Sequence, residues 1–263
     1  MAADVVIEAD RLRASLARRA QRLVSTERRA ELAVGGSFLL AASALAVLAP
    51  STGHPELGLA IACVACAAAA TQVRFDIAGG ITVPIQVVFV PMLLVMPAAL
   101  TPLLLMMAWT VGMLPAVLNG RLAPSRLLTA PGNSWFAFGP ALVLVLAGDR
   151  DPISHSGVLA LALGAQFAGD FVSNVLRERL RGGPDARELA REVSRIYLMD
   201  LALTPIGLAI AFATAQHRWA LLTVLPLFGV MSVFSREREA RMEQLIELND
   251  AYRGTALVLG DVV

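Results

Sequence analysis

The stretch QFAGDFVSNVLRERLRGG, residues 166–183, passes within one helical pattern from an apolar run to a cluster of arginines. Membrane-spanning helices are followed on the cytoplasmic side by loops enriched in basic residues. The stretch therefore predicts the cytoplasmic half of a span that ends near Arg177. It also places a carboxylate, Asp170, inside an apolar helix, where an ionisable group is costly and usually faces protein or water.

The composition of the whole chain indicates a membrane protein. Of its 263 residues, 57% are hydrophobic and 16% are charged, and the mean hydropathy is +0.66. Soluble domains carry about 25% charged residues. The net charge of +1 gives no reason to expect nucleic acid as a partner, and the use of arginine alone as the basic residue is typical of GC-rich bacterial genes. We therefore predict an all-α, polytopic helix bundle in a bacterial inner membrane, with the lipid bilayer as its partner.

Transmembrane helices are predicted by apolar runs of about 17 residues or more. Eight such runs lie within 32–235, and a range of six to eight spans follows because several runs are short. Residues 1–31 predict a cytoplasmic amphipathic helix, and residues 236–263 predict a cytoplasmic signalling or coiled-coil helix. The predicted spans are 32–49, 57–73, 80–96, 98–118, 133–148, 157–176, 197–214 and 219–235.

The arginines orient these spans. With eight spans, 20 of the 22 arginines lie in segments on the same side as the N-terminus, and only Arg150 and Arg218 lie on the other side. Because cytoplasmic loops carry the excess of basic residues, both termini are predicted to be cytoplasmic.

No arrangement of residues typical of catalysis is present in the sequence. There is no phosphate-binding glycine loop, no nucleophile elbow and no zinc-protease motif. Cys63 and Cys66 are read as small apolar residues of a membrane helix, in preference to a redox pair, because no second Cys or His pair completes a metal site. We predict that the residues present are not an enzyme and hold no metal or cofactor.

Polar groups inside the predicted spans are the candidate ligand-binding residues. Gln166, Asp170 and Asn174 are spaced by four and therefore share one helix face. This stripe has three interpretations: a pocket for a ligand or ion, polar bonding between helices worth about 0.6 kcal/mol per bond, or a position near the headgroups close to Arg177. The complete set is Gln166, Asp170, Asn174, Asp200, Gln86, Arg74 and Asp76.

Three stretches resemble a known family. VRFDIAGGITVPIQVVFVPMLLVMPAALTPLL (73–104) and YLMDLALTPIGL (197–208) resemble the membrane region of actinobacterial signalling proteins, and ELNDAYRGTALVLGDVV (247–263) is similar to the lead-in to their HD-type (HD-GYP-like) phosphohydrolase domain. The resemblance implies a sensor module that precedes a metal-dependent phosphodiesterase. The His–Asp ligands of that enzyme are absent here, so no catalytic residue is carried over, and the chain is expected to stop before the catalytic domain begins.

Three functions follow as expectations. The leading one is a membrane sensor or input domain that binds an unknown small molecule and signals, as a homodimer, through its C-terminal helix. The alternative is a small-molecule transporter or a substrate-binding subunit resembling those of energy-coupling transporters, because proline-broken spans expose backbone groups to ligands. The third is a purely structural membrane anchor.

Overall fold

The computed structural model describes residues 23–49, 56–73, 75–77, 80–148 and 155–235, together with 237, 241 and 244. The predicted N-terminal amphipathic helix, Arg74 and most of the predicted C-terminal helix lie outside these residues.

The described residues are almost entirely helical, as the sequence predicts. A short two-stranded hairpin interrupts the helices, and a 3-10 turn, Arg218–Thr223, opens the last of them. The elements are α1 (Ser25–Leu48), α2 (Leu57–Ala70), β1 (Phe75–Ile77), β2 (Gly80–Thr82), α3 (Gln86–Val95), α4 (Thr101–Leu118), α5 (Thr129–Gly132), α6 (Trp135–Ala147), α7 (Ser156–Arg181), α8 (Ala186–Gln216) and α9 (Arg218–Ser235).

Six helical segments are long and apolar enough to cross a membrane, so the prediction of a polytopic helical bundle is confirmed. They are Ser25–Leu48, Ala98–Leu118, Pro124–Ala147, Ser156–Arg181, Ala186–Gln216 and Arg218–Ser235. Helices α2 and α3 are shorter, at about 21 and 15 Å for a rise of 1.5 Å per residue. Neither reaches the ~30 Å of a bilayer core, so neither is long enough to cross a bilayer by itself as a straight helix.

The predicted span 80–96 is wrong in its first residues. Gly80–Thr82 forms strand β2, which pairs antiparallel with β1 so that Asp76 lies opposite Ile81. The β-branched residues Ile81, Thr82 and Val83 favour an extended backbone, and Pro84 restricts the residue before it to the same region. The helix therefore begins only at Gln86.

Loops that the arginine count predicts to lie on the same side of the membrane are found at the same end of the bundle. At one end, which we call the arginine-rich end, the Leu23 amide donates to Ser125 Oγ at 3.2 Å, and Arg181 at the end of α7 pairs with Glu31 near the start of α1. At the opposite end, Arg218 pairs with Glu56. Segments predicted to lie on the same side of the membrane therefore meet.

Helices α2 and α3 enter and leave the bundle at that opposite end. Thr71, which caps α2, lies against Gly112 of α4, about 9 Å short of the arginine-rich end of α4 at 1.5 Å per residue. Gln86, the first residue of α3, bonds Gln166, about 22 Å from the arginine-rich end of α7 on the same measure. The segment α2–hairpin–α3, which we call the re-entrant segment, therefore enters and leaves at the same end of the bundle, and α3 begins near the middle.

Candidate functional site

A cavity of about 260 Å³ lies inside the bundle between α7 and α8. Helix α7 contributes the predicted stripe of Gln166, Asp170 and Asn174, and α8 contributes Tyr197 and Asp200. The opposite wall comes from Trp109 of α4, Asn133 after α5 and the aromatic ring of Phe136, and Val83 and Ile85 before α3 also line the cavity. The cavity thus collects polar groups that are far apart in the sequence.

One oxygen of Asp170 is held by two donors. The Tyr197 hydroxyl of α8 donates to Asp170 Oδ2 at 2.8 Å, and Asn174 Nδ2 donates to the same atom at 3.0 Å. The ring of Tyr197 is stacked on Phe167, with centroids 4.7 Å apart. The second oxygen, Oδ1, accepts no hydrogen bond from the described residues. Asp170 therefore links α7 to α8 through one oxygen while the other remains available.

The carboxylate of Asp200 has no partner in the described part of the chain. Its backbone carbonyl accepts a hydrogen bond from Thr204 Oγ1 at 2.7 Å, but its side chain makes neither a hydrogen bond nor an ion pair there. A carboxyl group that leaves water without a donor or a counter-charge is costly to the fold. The cavity therefore contains an acidic group that the described residues do not satisfy.

The glutamines beside the cavity satisfy each other. Gln86 Nε2 donates to Gln166 Oε1 at 3.2 Å, and Gln166 Nε2 donates back to Gln86 Oε1 at 3.0 Å. Gln86 Nε2 also donates to Thr204 Oγ1 of α8 at 3.2 Å. Both glutamines are buried. For Gln166, polar bonding between helices is therefore the interpretation that fits, whereas Asp170 and Asn174 remain cavity residues.

An ion cluster lies between the cavity and the arginine-rich end. Glu31 of α1 is 1% exposed and pairs with both Arg177, at 3.4 Å from Nε to Oε1, and Arg181. Arg181 also pairs with Glu178 at 3.3 Å. Arg177 Nη1 donates to Asn133 Oδ1 at 3.0 Å, which connects the cluster to the cavity wall.

The positive and negative charges of this cluster are equal in number, so the cluster adds no net charge beside the cavity. Arg177 and Arg181 are matched by Glu31 and Glu178. Arg177 also acts on Asp170 through space, but its Nε pairs with Glu31 and its Nη1 donates to Asn133, whereas Nη2 makes no hydrogen bond among the described residues. Asp170 and Asp200 are therefore left as surplus acidic groups within the described residues.

The predicted site residues have different outcomes. Gln166, Asp170, Asn174 and Asp200 line one cavity, and Gln86 adjoins it through Gln166. For Asp76 only the backbone is described, in β1, and Arg74 lies outside the described residues.

Sequence reasoning did not select Trp109, Tyr197, Asn133 or Glu31. A usable signal existed for Tyr197, which precedes Asp200 by three residues and so shares its helix face. Glu31 offered a weaker signal, a carboxylate bordering the first apolar run at the end where the arginines of α7 were predicted. Nothing in the spacing of Trp109 or Asn133 pointed to this cavity, because α4 and the end of α5 approach it only in the folded bundle.

The two cysteines are buried and free, packed in α2. Across the described ranges, no group of three or more His, Cys, Asp and Glu side chains is arranged to hold a metal ion. The fold defines a polytopic helical membrane protein, and Asp170 and Asp200 line a partly open cavity in its bundle. Comparison with family models, with curated proteins and with solved structures finds no match to this chain.

Proposed function

We propose that this chain is a membrane input domain, which binds a small molecule in the acidic cavity and converts binding into movement of the helix that leaves the bundle. The observation that supports this most directly is the position of Tyr197 and Asp200 on α8. Helix α8 connects through His217 alone to α9, and residues 237, 241 and 244 beyond α9 are also helical. A ligand that shifts α8 therefore acts on the exit helix directly.

The link that a ligand would alter is the hydrogen bond between Tyr197 and Asp170. Helix α8 packs mainly against α3 and α9, and the cavity separates much of it from α7. A ligand in the cavity competes for Asp170 and changes the separation of α7 and α8. Small shifts of packed helices, of about 1–2 Å, are a common signalling movement. The output is proposed to be an HD-type phosphohydrolase domain in a homodimer, on the basis of the sequence resemblance.

Tyr197→Phe tests this coupling, because it removes the hydroxyl link and keeps the ring. Spin labels are placed on Arg179→Cys at the end of α7 and on Glu237→Cys beyond α9, with Cys63 and Cys66 replaced by alanine. Tyr197→Phe is expected to shift the distance distribution between the labels, measured by pulsed electron paramagnetic resonance, by about 1–2 Å.

The matched control is Ser194→Ala, which deletes a hydroxyl from the same helix. The Ser194 hydroxyl is exposed and donates only to Arg191 O of its own helix, at 2.8 Å. Its removal is expected to leave the distribution unchanged. Identical distributions for Tyr197→Phe and the parent protein would exclude the coupling and, with it, the input-domain proposal.

A transporter is the second candidate, favoured by the re-entrant segment. Helix α3 begins near mid-bundle, and Val83 and Ile85 before it line the cavity. Broken helices that end beside a ligand site at mid-membrane are a feature of transporters.

Uptake into vesicles tests the transporter. Choline is a suitable probe because its fixed charge prevents passive crossing of the bilayer and its hydroxyl oxygen can accept a hydrogen bond. In reconstituted vesicles, accumulation of radiolabelled choline that requires Asp200 would support transport, and Asp200→Asn supplies the comparison. Uptake no greater than in protein-free vesicles would count against it.

A further inference from the structure

We infer that the cavity takes a small organic cation that carries a hydrogen-bond acceptor: an ammonium group at one end and an ether, hydroxyl or carbonyl oxygen at the other. The inference rests on the proposed binding function and names the class of ligand. It follows from the opposite chemical demands of the two cavity walls.

The wall formed by α7 and α8 calls for a cation. Asp170 Oδ1 and the carboxylate of Asp200 lack donors among the described residues, and Arg177, which acts on Asp170 through space, is also paired with Glu31. An ammonium group carries three donors and no acceptor, so it suits a wall that offers carboxylate oxygens. A charged hydrogen bond of this kind is stronger than a neutral one.

The wall formed by α4 and the end of α5 calls for an acceptor. Trp109 Nε1 is a buried donor with no hydrogen-bond partner among the described residues, and an indole N–H can only donate. Asn133 gives its Oδ1 to Arg177, and within the described chain its amide nitrogen has no bond. Neither donor can be satisfied by a bare cation, so a ligand that also presents an oxygen fits this side better.

The size and composition of the cavity favour a small organic molecule over a metal ion. Its volume of about 260 Å³ lies just below the ~300–1,000 Å³ range of pockets for drug-sized ligands. Aromatic rings from Phe136, Phe167 and Tyr197 form part of the lining and can contact the carbon skeleton of a ligand. Metal sites for hard cations take six or more oxygen ligands, which these two carboxylates do not approach.

Three probes of matched size separate the two demands. 3-Methoxypropylamine carries both the ammonium group and the acceptor, 3-methoxypropan-1-ol replaces the ammonium with a hydroxyl, and pentylamine replaces the ether oxygen with a methylene. The measurement is the thermal unfolding midpoint of the full chain in detergent as a function of probe concentration, since a ligand that binds only the folded state raises the midpoint. Methoxypropylamine is expected to bind at least tenfold more tightly than either of the other two.

Two substitutions assign the effect to the cavity. Asp200→Asn is expected to weaken methoxypropylamine at least tenfold, and Asp200→Glu, which keeps the charge, is expected to restore part of that loss. Trp109→Phe is expected to bring the affinity for methoxypropylamine down to that for pentylamine and to leave pentylamine itself unchanged.

Several results would overturn the inference. If methoxypropanol stabilises the protein as well as methoxypropylamine, the cation requirement is wrong, although the cavity would still bind small molecules and the proposed function would stand. If pentylamine equals methoxypropylamine, the acceptor requirement is wrong. Equal or greater stabilisation by magnesium or calcium chloride would replace the organic cation with a metal ion. If the spin-label distances do not respond to Tyr197→Phe but methoxypropylamine still binds, the input-domain proposal is wrong and the inference about the ligand stands.

Discussion

Replacing Glu31 with glutamine is expected to lower the free energy of unfolding by about 3–5 kcal/mol, the usual cost of removing one partner from a buried ion pair. Glu31 is 1% exposed and is the shared partner of Arg177 and Arg181. Without it, both guanidinium groups keep their positive charge, with Glu178 as their remaining ion-pair partner and Asp170 acting on Arg177 through space. The loss should appear as a lower midpoint in unfolding by sodium dodecyl sulfate.

Glu27→Gln is the matched control for Glu31→Gln. Glu27 lies one turn earlier on α1, and among the described residues its carboxylate accepts a hydrogen bond only from the exposed amide of Val24, at 3.3 Å. The same chemical change there is expected to cost less than about 1 kcal/mol, as for an exposed group. If the two variants had equal midpoints, Glu31 would not compensate the arginines in the folded bundle.

A combined variant tests the electrostatic cause. Buried ion triads can be replaced by apolar residues of similar volume with little loss of stability. Glu31→Leu with Arg177→Met and Arg181→Met is therefore expected to recover most of the stability that Glu31→Gln loses. A combined loss equal to the sum of the separate losses would show that the three side chains act independently.

Gly139→Ala is expected to destabilise the bundle by about 1–3 kcal/mol, the cost of forcing an extra methyl group into a packed interface. Gly139 of α6 lies against the backbone of Ala165 in α7, where an added Cβ would overlap the carbonyl group. On the neighbouring turn, a Cβ on Gly169 would lie 3.2 Å from the Trp135 carbonyl oxygen. Small residues of this kind let membrane helices approach closely, and this contact holds the cavity wall in place.

Gly164→Ala is the control for the packing of α6 and α7, and it should have the opposite sign. No atom lies within 4 Å of a Cβ added at Gly164, so the substitution brings only the higher helix propensity of alanine, worth up to about 1 kcal/mol. Thermal midpoints in detergent should fall for Gly139→Ala and hold or rise for Gly164→Ala. A midpoint for Gly139→Ala at or above that of the parent would contradict the close packing.

The helical segments and their alternation were predictable from local composition. Apolar runs and flanking arginines indicate where a segment lies relative to the bilayer, and this holds for every segment in the same way. The positions of Arg177 and Arg218 therefore predicted opposite ends of the bundle before any contact was known. The predicted face shared by Gln166, Asp170 and Asn174 also followed from helical spacing alone. The path of the re-entrant segment could not be predicted from the sequence. Residues 57–96 contain the same apolar runs whether their helices cross the membrane or turn back.

The sequence by itself determined the class of this protein, a polytopic helical bundle with its basic loops grouped on one side, because hydropathy and charge are properties of short segments. Only the tertiary structure decided which polar residues are paired and which are free. Glu31 neutralises arginines about 150 positions away, Gln166 is satisfied by Gln86, and Asp200 is left without a partner among the described residues. These outcomes depend on how many donors, acceptors and charges come together where distant helices meet. No pattern within a short segment of the sequence contains that information.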